Sequence, residues 1–217
     1  MLYDAPGGSP PSLAMSDATT ILVDTDLERD DAAAAAAGLY LRLVGDGTIA
    51  ARPEGDEEAR FRVLDERFVA ETGIRAIGLH ASGHRWCGDG HGGAHLVDGG
   101  RENGIFCRYD GGFTIRCPEC HAALSLGDEG SDALEEALVV WCDAPDSAYV
   151  ACPACATWTS LHLWRSPAHD FAVGHFAITL YGAHLKGLLG GDEYAATLLR
   201  HRLGDIAGDY TVVFAKA

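Results

Sequence analysis

The sequence predicts an α+β fold that is interrupted in its middle. Three observations carry this expectation. A strand–helix–strand pattern opens the regular part of the chain, and a second one closes it. Between them lie two matched Cys-Pro-x-Cys hooks, Cys117-Pro-Glu-Cys120 and Cys152-Pro-Ala-Cys155, in a stretch of short apolar segments.

Residues 1–18 are rich in Gly, Pro and Ser without apolar periodicity, which predicts a flexible lead. Thr19-Thr-Ile-Leu-Val23 reads as a short buried strand. Asp30 and Asp31 then supply the carboxylates that favour the first turn of a helix. The alanine run that follows is strongly helix-forming, and Gly45-Asp-Gly47 marks the stop. A second helix is predicted over 56–72, with Phe61, Leu64, Phe68 and Val69 on one face and Gly73 as its end. Ile74 to His80 reads as a strand, and residues 82–112 are glycine-rich and irregular. After the hooks, Phe171 to Tyr181 reads as one strand, Asp192 to Leu203 as a helix ended by Gly204, and Asp209 to Ala215 as the last strand.

The hooks carry the chemistry. Four thiolates delivered as two C-x-x-C pairs suit a closed tetrahedral Zn²⁺ site, with Cys117, Cys120, Cys152 and Cys155 as ligands to one structural ion. The two-residue gap lets both sulfurs of a hook reach the same ion, and the proline stiffens the turn. Residues 121–151 separate the hooks, more than the usual interval of about 15–20 residues. The excess predicts a helical excursion over Asp132 to Trp141. The whole chain then reads as two ferredoxin-like βαβ halves split by a zinc-ribbon subdomain. The boundaries are a lead at 1–18, a first half at 19–104, the ribbon at 105–166 and a second half at 167–217.

The order of parts resembles a poorly characterised group of bacterial zinc-ribbon proteins. The residues that carry the resemblance are Thr25-Asp-Leu-Glu-Arg-Asp-Asp31, the hook pair, and the aromatic-rich strand Phe171 to Tyr181 followed by a helix and a final strand. The resemblance implies no particular activity. Some of the group carry transporter-ATPase labels, but a P-loop needs G-x-x-x-x-G-K-[ST], and neither Lys186 nor Lys216 sits in one.

Charge narrows the partners. The net charge is −16 over 217 residues, and residues 113–166 hold two arginines against eight carboxylates, a net of −6. Such a surface repels phosphates, so nucleic acid is not the expected partner even though many zinc ribbons bind it. A protein partner, with a basic patch, fits better. Seven cysteines cannot all pair, and metal thiolates suit a reducing compartment. With no apolar run of membrane-spanning length and no secretory pattern, the expected location is the bacterial cytoplasm.

Other constellations have weaker geometry. His80, His84, Cys87, Asp89, His91 and His95 are the right ligand types for a second metal site, yet the intervening glycines fix nothing in place. Gly88-x-Gly90-x-x-Gly93 matches a dinucleotide fingerprint in form, but not in its strand-to-helix context. Cys107 and Cys142 read as core residues. Trp141, Trp158 and Trp164 are expected to pack the ribbon onto the rest of the chain. His169, Asp170 and His175 lack a nucleophile motif or an H-E-x-x-H helix beside them, and read as structural. The zinc-deaminase signature is missing, because each proline lies inside its hook.

The leading expectation is a non-enzymatic, zinc-stabilised protein that binds another macromolecule. One alternative is a redox-responsive protein in which oxidation of the hooks expels zinc. Another is a metalloenzyme with its site in residues 80–95.

Overall fold

The computed structural model describes residues 18–53, 60–82, 84–88, 94–97, 104–107, 113–127, 131–182, 201, 203 and 210–216; for 84–88 and 94–97 the description is of backbone pairing. The first elements are β1 (Ala18–Asp24), α1 (Arg29–Gly45), β2 (Ile49–Pro53), β3 (Arg60–Val63), α2 (Glu66–Thr72) and β4 (Ala76–Ala81). Next come β5 (His84–Gly88), β6 (Ala94–Val97), β7 (Ile105–Cys107), β8 (Thr114–Arg116), β9 (Ala123–Ser125) and α3 (Asp132–Asp143). The rest are β10 (Tyr149–Ala151), β11 (Trp158–Ser160), β12 (Phe171–Val173), β13 (Phe176–Tyr181) and β14 (Tyr210–Lys216). The fold is α+β, built on an antiparallel sheet. The expected lead at 1–18 and helix at 192–203 fall almost wholly outside the described residues.

The main sheet follows the path β14-β1-β13-β4-β3-β2, with β5 joined to the end of β4 and β6 to β5. Alternation along β1 and β13 gives the sheet two apolar faces. Leu22 pairs with Ile178, and both belong to a core shared with Ala32, Ala36, Leu39 and Leu43 of α1. Val23 pairs with Ala177, and both face the opposite way, into a small cluster with Ala172 and Val213. All six residues of β13 are buried for that reason.

The first helix forms as the sequence predicts. Its alanines occupy buried positions four residues apart, and so little side chain lets the helix approach the sheet closely. Its end is set where Gly47, at φ 75°, donates its amide to the Val44 carbonyl. The Tyr40 hydroxyl reaches the Ala51 carbonyl at 2.7 Å and ties α1 to β2.

Of the helix expected over 56–72, residues 56–59 lie outside the described residues; Arg60–Val63 is a strand, and the chain turns helical only at Glu66. The apolar residues at 61 and 63 alternate with exposed Arg62, a period of two that overrides the helical spacing of Phe61 and Phe68. Asp65 then caps the helix, its carboxylate accepting from the Phe68 amide at 3.0 Å. Leu64, expected on the apolar face, is 45% exposed. Gly73 ends the helix at φ 75°, as expected.

The single strand expected over 171–181 is two strands, broken at Gly174. At this point the chain crosses from one layer to another, and there is no room for a side chain. A Cβ on Gly174 would stand 2.3 Å from the Asp24 carbonyl oxygen, and one on Gly104 would stand 2.1 Å from the Gly174 oxygen.

Before the break, β12 pairs with β7 in a separate two-stranded ladder, Phe171 opposite Cys107 and Val173 opposite Ile105. This ladder has two buried faces. Ala172 and Phe106 turn toward the main sheet, while Phe171, Val173, Ile105 and Cys107 join a second core around the hooks. That second core holds Phe113, Ile115, Leu124, Leu134, Trp141, Val150, Leu161 and Trp164. The helical excursion expected within the ribbon is α3, with Leu134, Ala137 and Trp141 on its buried face.

Candidate metal centre

Each hook sits at the tip of a short antiparallel hairpin. In the first, β8 pairs with β9 in the register Arg116↔Ala123; in the second, β10 pairs with β11 in the register Ala151↔Trp158. The two tips share one hydrogen-bond pattern. The Cys117 amide donates to the Ala122 carbonyl at 3.0 Å, and the Cys152 amide to the Thr157 carbonyl at 3.0 Å. The His121 amide returns to the Cys117 carbonyl, and the Ala156 amide to the Cys152 carbonyl. To close so tight a turn, the residue after each hook adopts a left-handed backbone: His121 at φ 61° and Ala156 at φ 59°. Neither is glycine, so both turns hold local strain.

The hairpins face each other and bring all four sulfurs within 4.8 Å of one another. Cys117 Sγ lies 3.9 Å from Cys155 Sγ, and Cys120 Sγ lies 3.6 Å from Cys152 Sγ. Zinc–sulfur bonds of about 2.3 Å in a tetrahedron put neighbouring sulfurs about 3.8 Å apart. The two cross-hook distances bracket that value and are far longer than a disulfide bond of about 2.05 Å. The donor set and its spacing fit a zinc-type ion. The first cysteine of each hook is buried in the second core, and the second cysteine of each is exposed.

Hydrogen bonds tune the outer sulfurs. The Thr157 hydroxyl and amide hold the Cys155 thiol down, from its usual 9.0 to about 6. At the matching position of the first hook, the Ala122 amide works in the same direction on Cys120. There partial loss of solvent and the contacts with the other three hook sulfurs outweigh it, and the thiol is pushed up to about 12. Ala122 and Thr157 escaped the sequence reading, as did the strained positions 121 and 156. Their signal is positional: each lies one or two residues past the second cysteine of a hook.

Polar contacts of Arg165, His169 and His175 join the site to the main sheet; the His169 carbonyl accepts from the Phe214 amide of β14 at 2.8 Å. Arg165, just beyond the second hairpin, donates from Nη2 to the Thr25 hydroxyl at 3.0 Å and from Nη1 to the His162 carbonyl. This anchors the Thr25-Asp-Leu stretch, whose turn is closed by Asp24 Oδ1 accepting from the Asp26 and Leu27 amides. His175, in the break between β12 and β13, stacks on Trp141 and lies 3.1 Å through Nδ1 from the Ser82 hydroxyl.

Trp141 and Trp164 are buried, as expected of residues that seat the hooks. Trp164 donates its indole N–H to Thr159 at 2.9 Å. Trp158 is not packed; it is 69% exposed on the outer face of its hairpin. Cys142 and Cys107, expected in the core, are half-buried.

The glycine–histidine segment divides. His80 lies in β4, its Nε2 2.8 Å from the Thr179 hydroxyl and its ring edge-on to Phe106, so it serves the junction between sheet and ladder. Cys87 of β5 stands opposite His95 of β6 in the backbone register, and His84 opens β5. Asp89 and His91 lie outside the described residues. The hook cysteines are the one metal-ligating cluster found among the described residues.

Comparison with known protein families, with curated proteins and with solved structures finds no match to this chain.

Proposed function

We infer that the chain is a zinc-stabilised, non-enzymatic protein of the cytoplasm that acts by binding another macromolecule, a protein. The observation that carries this reading is the convergence of Cys117, Cys120, Cys152 and Cys155 to within 4.8 Å. Four sulfurs complete a tetrahedron and leave no position for water or substrate, so the ion they hold would shape the molecule rather than react. Among the described residues, no helix is long and apolar enough to cross a membrane. The finer fold reading is a ferredoxin-like sandwich with a zinc-ribbon insertion. The order β14-β1-β13-β4 supports it, because two interleaved βαβ units place the last strand beside the first and the third beside the second. The resemblance to bacterial zinc-ribbon proteins rests on the same hooks.

Metal analysis of the purified chain tests this reading. One zinc per chain, retained through dialysis and required for folding of the hook region, is expected. A metal-free chain that is fully folded would refute it, and a second, loosely held ion would favour a metalloenzyme with a site in residues 80–95.

A redox-responsive role has one observation in its favour: Cys120 and Cys155 are exposed and open to an oxidant. Release of zinc on mild peroxide, reversed by a thiol reductant, is its test.

A further inference from the structure

We propose that the outer face of the second hairpin is a docking slot for an arginine- or lysine-bearing segment of a partner protein, gripped between Tyr149 and Trp158. This rests on the reading of the chain as a zinc-stabilised binding protein and gives that reading a specific surface. Tyr149 and Trp158 belong to the paired strands β10 and β11, and in both strands the middle residue is the buried one. Both rings therefore stand on the solvent face, 48% and 69% exposed.

The register makes the slot. Tyr149 lies opposite Ser160 and Trp158 lies opposite Ala151, so the two aromatics occupy one diagonal and two small residues the other. Diagonal neighbours on an antiparallel pair are about 7–8 Å apart, room for one flat or rod-like group between two rings. A sheet face with large rings at two corners and small side chains at the other two is a cleft with aromatic walls. Arginine and lysine fill such a cleft well. Their stems lie on the apolar walls, and the cation is drawn to the electron-rich ring faces.

Charge selects the same occupant. Between residues 117 and 164 the chain carries eight carboxylates and no lysine or arginine. Asp146, exposed in the turn before β10, puts one of them close in sequence to the slot. Four thiolates around one divalent ion would add further negative charge at the tip of the hairpin. A base of a nucleic acid would also stack on these rings, but its phosphates would meet only carboxylates. Cys152 and Cys155 lie at the tip of this same hairpin, so an ion held there would brace β10 against β11.

The test uses the zinc-loaded full chain and three fluorescent probes: a twelve-residue Arg/Gly peptide, a Glu/Gly peptide of the same length, and a single-stranded oligonucleotide. The Arg/Gly peptide is expected to bind, more weakly as salt rises, and the other two not to bind. Trp158→Ala and Tyr149→Ala should each weaken that binding by roughly three- to tenfold, with zinc content unchanged. Trp158→Phe should retain most of it, and Val139→Ala, at an exposed apolar position on α3, should change nothing. Equal binding by Trp158→Ala and the unaltered chain would overturn the slot while leaving the zinc-stabilised reading in place. So would preference for the oligonucleotide or the acidic peptide. Loss of zinc from the unaltered chain without loss of fold would instead refute the underlying reading.

Discussion

The indole of Trp141 stacks on the imidazole of His175 with ring centroids 5.2 Å apart and planes 11° from parallel. One ring belongs to the helix between the hooks and the other to the break that leads into the central strand of the main sheet. Burial holds His175 below its ordinary histidine pKa; Asp146 opposes this, and Arg29 and His162 add to it. His162 is lowered in the same way, again chiefly by burial. The folded protein therefore binds fewer protons here than the unfolded chain. Their contribution is full above the unfolded value of about 6.5 and is lost as pH falls below it toward the depressed folded values. Urea unfolding should show stability declining as pH is lowered from 7 to 5.5. His175→Phe, which keeps a ring on Trp141 but cannot titrate, should flatten that decline without abolishing it.

Removing a ligand should separate the hook sulfurs from the other thiols. Cys152→Ser is expected to take bound zinc well below one per chain and to loosen the second core, because the ion contributes much of the folding free energy of such a module. Cys142→Ser, on α3 and outside the sulfur cluster, should leave zinc untouched. Metal content by elemental analysis, read with tryptophan fluorescence, checks both.

The crossover at Gly174 has no space for a methyl group, since its nearest obstacle is backbone, the Asp24 carbonyl oxygen. Gly174→Ala should destabilise the protein by about 1–3 kcal/mol, the usual cost of overpacking. The loss should show in thermal unfolding rather than in zinc content.

Ala156 offers a change in the other direction. Its φ of 59° costs an L-residue about 1–2 kcal/mol. Glycine removes that strain, at the cost of about 0.4–1 kcal/mol of extra freedom in the unfolded chain. The strain term is the larger, so Ala156→Gly should stabilise by roughly 0.5–1 kcal/mol. His121→Gly should behave alike, and a drop in melting temperature for both would contradict this account of the turns.

Local chemistry was the legible part. Hook spacing named four cysteines, and the structure draws those four sulfurs together. Alanine content and Gly45-Asp-Gly47 located α1, and Asp132 to Trp141 located α3. Long-range competition was not legible. Phe61 and Phe68 fit one helical stripe in isolation, yet Phe61 is claimed by pairing with Ile77 of β4. Phe171 to Tyr181 is one unbroken apolar run, and only contact with Asp24 reveals why Gly174 divides it. Exposure of Trp158 was equally hidden, because a tryptophan between a hook and an apolar strand reads as core until the hairpin register turns it outward.

The ladder of β7 and β12 is three residues long on each side, yet each of its faces supports a different neighbour. If the hooks hold zinc as proposed, losing the ion would free the outer face while the inner one stays fastened through Phe106 and Ala172. A metal-starved cell would then hold molecules whose helix-backed sheet survives but whose Phe171 and Val173 lie bare. Such molecules would stick to one another before they came apart, making clumping, rather than melting, the first symptom of zinc shortage.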